Sequence, residues 1–212
     1  MSTPKPMPPL PSEPLSRVLE VLDRLEIPWL IGGSVASSAH GIPRTTLDID
    51  LVVDFPPERI DDFVAELSRE FYADAALIRE SFARGRAANI IHLGSGWRFD
   101  LFPLLTDEYS RVAFSRRVYR AVRGVGGEPI ECAVSSAEDT VLRKLDWYRA
   151  GSQTSERQWN DLLGVCRTVG AKLDIPYLRR WATFLRLSDL LEALLAESAT
   201  STPARPTPDA IE

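Results

Sequence analysis

Two aspartates flanking a single isoleucine, Asp48-Ile49-Asp50, sit inside an apolar run that ends at Val53. In an extended strand, successive side chains point to opposite faces. Asp48 and Asp50 therefore project one way, while Ile49, Leu51 and Val53 project the other. Adjacent carboxylates repel, and a strand tolerates the pair when a cation binds them. About fifteen residues upstream, Gly32-Gly33-Ser34 closes another apolar run, Pro28 to Ile31. Glycines let backbone approach a ligand closely. A helix after such a turn offers free N–H groups and a positive dipole end to phosphate. The stretch from Ile31 to Asp54 is thus a candidate metal and nucleotide site.

The 212 residues suffice for one compact domain or a domain with a helical appendage. Hydrophobic residues make up 44% and charged residues 26%, ordinary values for a globular protein. No apolar run approaches the roughly 20 residues that span a bilayer. The N-terminal stretch has no apolar signal core, so no membrane association and a cytoplasmic location are expected. Cys132 and Cys166 lack zinc spacing and are expected as free buried thiols. A net charge of −5 argues against a protein that coats nucleic acid. The charge is uneven, however. Residues 11–78 hold 5 basic and 13 acidic side chains, and residues 79–123 hold 9 arginines and 4 acids. That middle stretch either faces a phosphate chain or is solvated surface.

The expected fold class is α/β (α+β), a half in which strands and helices alternate followed by a C-terminal helical region. Residues 1–11 and 198–212, rich in Pro, Ser and Thr, are expected as disordered tails. Residues 12–135 form the α/β part and 136–197 the helical part. Helical periodicity runs from Leu15 to Leu25. Strands are expected at 28–31, 47–53, 88–93, 97–101, 117–122 and 130–134. Ser34 is expected to cap a short helix ending at His40. Pro56-Pro57 should open a helix through Phe71, with further helices at 75–83 and 107–114. Beyond Ala137 only helices are expected, at 137–149, 155–169, 175–185 and 188–197.

Asp100 lies between Phe99 and Leu101 on an expected strand and points away from both. If that strand lies beside the Asp48/Asp50 strand, three carboxylates converge. Three oxygen ligands with open positions suit Mg²⁺. Two such ions can activate an attacking hydroxyl and stabilise a leaving pyrophosphate. Each element alone has a plainer reading, as a turn, a solvated loop pair or an edge residue.

The order of turn, helix, Asp-x-Asp strand and later single aspartate resembles the nucleotidyltransferase superfamily, with its polymerase-beta-like fold. Gly33 and Ser34, Asp48 and Asp50, and Asp100 match its signature. The resemblance implies a mixed sheet on helices and Mg²⁺-dependent transfer of a nucleoside monophosphate from an NTP to an acceptor hydroxyl. Asp48, Asp50 and Asp100 would bind two Mg²⁺ ions. Gly32, Gly33, Ser34, Arg44 and Lys144 would bind the nucleotide. Residues 135–165 are similar to the helical motifs of AbiEii-type and MenT-type toxins. Glu138, Asp139, Lys144 and Leu145 match the first motif. Arg157 and Asp161 match the second, with Gln158 where an aspartate is expected. This similarity implies a tRNA, other RNA or protein acceptor, and an antitoxin partner for a toxin. The alternative is an inactive nucleotide- or protein-binding module on the same fold.

Lys144 falls inside the apolar arc of its helix, between Trp147 and Tyr148. It either faces the site and binds triphosphate or packs its stem and snorkels to water. Asp161 borders an apolar stripe as a site residue, an exposed carboxylate or the partner of Lys144 or Arg157. Arg44 either reaches a phosphate or is solvated. His40 is expected to favour its helix dipole, and His92 to be structural.

Overall fold

The computed structural model describes residues 12–44, 46, 48–122 and 129–200. The expected N-terminal tail, residues 201–212 and the 124–127 glycine run lie outside the described residues. Seven strands form one mixed sheet: β1 (Trp29–Ile31), β2 (Asp48–Val53), β3 (Phe71–Tyr72), β4 (Ala88–His92), β5 (Arg98–Pro103), β6 (Val118–Val122) and β7 (Ile130–Val134). Their order is β3-β4-β5-β2-β1-β7-β6. The α-helices are α1 (Ser12–Arg24), α2 (Gly33–His40), α3 (Ile60–Leu67), α4 (Ala75–Ala83), α5 (Glu108–Ser115), α6 (Ala137–Ala150), α7 (Glu156–Val169), α8 (Ile175–Phe184) and α9 (Ser188–Thr200). The mixed α/β class expected from the sequence is what the chain adopts.

The sheet centre is built by period-two alternation. Ile49, Leu51 and Val53 on β2 and Phe99 and Leu101 on β5 are fully buried. They share one apolar cluster with Val18 and Leu22 of α1 and Phe63 and Leu67 of α3. Each such side chain contributes about 1.5–3 kcal/mol when fully buried. A one-residue slip of β2 would turn Asp48 and Asp50 into this core, so the apolar face fixes the register of the carboxylates.

A second apolar cluster is built from α5 to α9 and centres on Val141, Leu145, Leu162, Val165, Leu178 and Leu191. Tyr109 and Ala113 of α5 belong to it. Thus α5, from the sheet-forming half, packs with the helices beyond Ser135-Ser136. Side-chain caps start most helices: Asp74, Asp107, Ser136, Ser155 and Asp174 each accept a backbone N–H three residues on. Cys132 and Cys166 are free and buried, as expected. Among the described residues, no helix is long and apolar enough to cross a membrane.

Three local expectations are corrected. The helix from Pro56 does not reach Phe71. A 3₁₀ turn at Pro57–Arg59 leads into α3, which stops at Leu67. Phe71 instead buries its ring as part of edge strand β3, opposite His92. Ser34 is not the cap of α2. Gly32 holds that position without a side-chain bond, and Ser34 lies inside the first turn. The C-terminal helix continues through Ser198 to Thr200, three residues into the expected tail.

At the end of α2 the chain touches α7 backbone to backbone. A Cβ on Gly41 would stand 2.8 Å from the Val165 nitrogen and 2.9 Å from the Gly164 carbonyl carbon. Backbone cannot step aside as a flexible side chain can. Gly41→Ala should therefore destabilise the protein by about 1–3 kcal/mol. Urea unfolding should show a lower midpoint with an unchanged slope.

Candidate functional site

β2 and β5 pair in parallel, and the register sets Asp50 directly opposite Asp100 and Asp48 opposite Arg98. Paired residues share a face, so all three aspartates lie on the side of the sheet away from the α1/α3 core. The condition set by the sequence, adjacency of the two strands, is met.

The Gly-Gly-Ser turn is bolted to this strand. The Gly32 N–H donates to the Asp50 backbone carbonyl at 2.9 Å. Gly33 has a φ of +53°, the left-handed region that favours glycine. A Cβ there would sit 1.7 Å from Asp50 Oδ2. The Ser34 N–H donates to the same carboxyl group. Asp50 thus covers the N-terminus of α2. Burial, reinforced by the nearby charges of Asp48 and Asp100, pushes the Asp50 carboxyl up to about 6.

Asp48 is more open. Its Oδ1 accepts the Thr46 hydroxyl at 2.8 Å, and its Oδ2 accepts Arg98 Nη2 at 2.9 Å. Arg98 Nε pairs with Asp100 Oδ1 at 3.1 Å. One guanidinium therefore bridges two of the three carboxylates. Asp100 is still raised, because burial outweighs the charge of Arg98. In this arrangement no group of three or more His, Cys, Asp or Glu among the described residues forms a ready metal cage.

A second set of predicted residues meets beside the turn. Asp161 on α7 accepts Arg44 Nε at 2.7 Å and Arg44 Nη2 at 2.8 Å. The same carboxylate accepts Lys144 Nζ at 2.8 Å. Arg44 Nη2 also donates to Ser34 Oγ at 2.5 Å. Lys144 is 6% exposed, so the snorkelling alternative does not hold. Burial lowers the Lys144 ammonium, opposed by its bond to Asp161. The Asp161 carboxyl is raised by burial but held below its ordinary value overall by Arg44 and Lys144. Its partner is Lys144 rather than Arg157, which is exposed on α7.

A pocket of about 350 Å³ opens beside Asp50, Gly33 and Lys144. Leu30, Val52 and Phe102 on the sheet and Phe114, Thr140 and Trp147 on the helices form its walls. Trp147 lies against Phe102, ring centroids 5.6 Å apart. The Thr140 hydroxyl is buried without a hydrogen-bond partner.

Several residues turn elsewhere. Glu138 and Asp139 serve packing: Asp139 accepts the Tyr177 and Ser136 hydroxyls at 2.7 and 2.6 Å. His40 is buried and donates through Nε2 to the Ser135 carbonyl at 2.7 Å. Burial lowers its pKa, so it acts as a neutral tie and not as a dipole partner. His92 braces its turn through Ser95. In the arginine-rich middle, Arg79, Arg84, Arg98 and Arg116 pair with carboxylates. Sequence reasoning missed Arg98 as a site residue, although the alternation that pairs Asp48 with Asp50 also puts it beside Asp100.

No family model matches the chain, and no curated protein matches it. Among solved structures, a nucleotidyltransferase-like protein from Paracoccidioides brasiliensis is similar at 16% identity and a TM-score of 0.49, covering 89% of this chain and 94% of that one. ANT(2")-Ia in complex with adenylyl-2"-tobramycin is similar at 19% identity and a TM-score of 0.45, covering 89% and 96%. The lincosamide antibiotic adenylyltransferase LnuA, lincomycin-bound, is similar at 12% identity and a TM-score of 0.44, covering 74% and 97%. The side chains described above, and not these likenesses, carry the chemistry that follows.

Asp50 generates a pH prediction. Its folded value, about 6, exceeds the model-peptide value of 3.8. Between these values the folded protein keeps a proton that the unfolded chain releases. Metal-free stability should therefore fall as pH rises from about 4 to about 6, then level off. Asp50→Asn should remove a pH-dependent change of about 3 kcal/mol, one pKa unit being about 1.4 kcal/mol. Urea titrations in EDTA at both ends of that window check this. A wild-type-to-variant difference that stays constant across the window refutes it.

Proposed function

We propose that the chain is a nucleotidyltransferase that moves a nucleoside monophosphate from an NTP to an acceptor hydroxyl and releases pyrophosphate. The observation that carries this reading is the pairing of Asp50 with Asp100, two residues from Asp48, against a glycine turn at a helix N-terminus. The donor set fits Mg²⁺: three hard oxygen ligands share one face, and their mutual repulsion favours a divalent cation. Asp48, Asp50 and Asp100 would hold two ions. When bound, such ions stabilise charge on phosphate oxygens and ease ionisation of the attacking hydroxyl.

The protein's own groups do the remaining work. The Gly33 backbone and the Ser34 hydroxyl receive the phosphates, beside Asp50, whose backbone carbonyl and carboxyl group already hold the Gly32 and Ser34 N–H groups. Arg44 and Lys144 add positive charge beside them, and charge stabilisation of this kind strengthens in a water-poor site. Asp161 is a positioning residue, since both of its oxygens are occupied in holding those two cations. Asp100 takes the proton of the acceptor hydroxyl. The apolar pocket beyond Asp50 seats the nucleoside, with Thr140 offering the polar contact.

The similarity of the α6 and α7 motifs to AbiEii-type and MenT-type toxins extends the proposal. The acceptor would be a tRNA, another RNA 3′ end or a protein hydroxyl, and a toxin would have an antitoxin partner. A second reading, nucleotide binding without turnover, is favoured by Arg98, which already pairs with both Asp48 and Asp100.

Label transfer from each α-labelled NTP into total RNA or protein tests the proposal. Asp48→Ala should lower Mg²⁺-dependent transfer by at least about 10³-fold, or about 4 kcal/mol of barrier, with the circular dichroism spectrum unchanged. Undiminished transfer by that variant removes the mechanism. Lys144→Met should cost roughly 10–100-fold, the scale of one charge-stabilising donor.

A further inference from the structure

Arg98 is the residue that the sequence logic left without a role, and its geometry gives it one. It stands opposite Asp48 across the parallel pair and two residues before Asp100 on the same strand. Its guanidinium donates to Asp48 Oδ2 at 2.9 Å and pairs with Asp100 Oδ1 at 3.1 Å. The second Asp48 oxygen is taken by the Thr46 hydroxyl. Three of the four carboxylate oxygens of Asp48 and Asp100 are therefore engaged.

The Arg98 side chain is 47% exposed, with open solvent to turn into. Half-exposed ion pairs are weak and screened by salt. A guanidinium held this way can leave when a doubly charged ion arrives. We propose that Arg98 is a built-in counter-ion for the Asp48/Asp100 pair, one that a divalent cation must displace to bind. It steadies the carboxylates without metal and sets a threshold concentration below which the site stays closed to it. This rests on the reading of the three aspartates as metal ligands.

Mn²⁺ binding to the full-length protein, followed by the electron paramagnetic resonance signal of free Mn²⁺, tests the idea without reference to activity. Arg98→Ala should lower the Kd for Mn²⁺ roughly tenfold. It should also lower Tm in EDTA, a loss that saturating Mn²⁺ reverses. Arg98→Gln, which keeps the stem and a neutral donor, carries the test if the alanine variant does not fold. Unchanged or weaker Mn²⁺ binding by the folded variants overturns the proposal. Asp48→Ala separates the two readings in the same assay. If it binds Mn²⁺ like the wild type, the metal-site reading itself fails, and the counter-ion proposal with it. If it loses Mn²⁺ while the Arg98 variants match the wild type, only the counter-ion proposal fails.

Discussion

The parallel pairing of β2 with β5 is the contact on which the rest of the site depends. It does two things with one register. On one face it buries Ile49, Leu51, Phe99 and Leu101 in the main core. On the other it lines up Asp48, Asp50, Arg98 and Asp100. The free energy of the apolar face therefore holds like charges together, and no carboxylate–carboxylate contact has to be favourable in itself. Hydrophobic burial is non-directional, but strand alternation converts it into angular control over polar groups.

The helical half reaches this sheet through charge as well as packing. Lys144 comes from α6, Asp161 from α7, and Arg44 from the chain between α2 and β2. Their joint contact also includes Ser34, the residue that follows the Gly32-Gly33 turn. One buried carboxylate with two cations is a net positive unit, which suits an anionic ligand next to it. Removing Asp161 would take a charge partner from both Arg44 and Lys144, so its effect would run through those two side chains.

Much of this could be read from the residues because the governing rules are short-range. Alternation located Asp48 and Asp50 on one face, and the helical wheel put Lys144 inward, where it is buried. The order of strands and helices followed from apolar runs separated by turn residues, whereas the mixed sheet came with the resemblance. The failures have different physical origins. Phe71 continued a helical apolar pattern, yet edge pairing with His92 decided its conformation, and such pairing is non-local. Ser34 has strong capping propensity, but the Asp50 carboxyl approaches from another strand and accepts its N–H instead. The toxin-like Glu138-Asp139 pair met a motif but serves the α5–α6–α8 packing through Tyr177, Ser136 and Arg116. The pocket walls combine β1, β2, β5, α5 and α6, and no local pattern announces such a combination.

The position of α2 has a consequence for how a ligand gets in. Its first turn is tied to Asp50, its Ser34 through Arg44 to Asp161, its His40 to the Ser135 carbonyl, and Gly41, the residue after it, abuts the α7 backbone. Sheet and helices are thus stitched along the full length of one eight-residue rod. Prising the two layers apart as rigid plates would break all four ties at once. Any widening of the pocket would then fall to side chains at its rim, where Trp147 is 41% exposed and lies against Phe102.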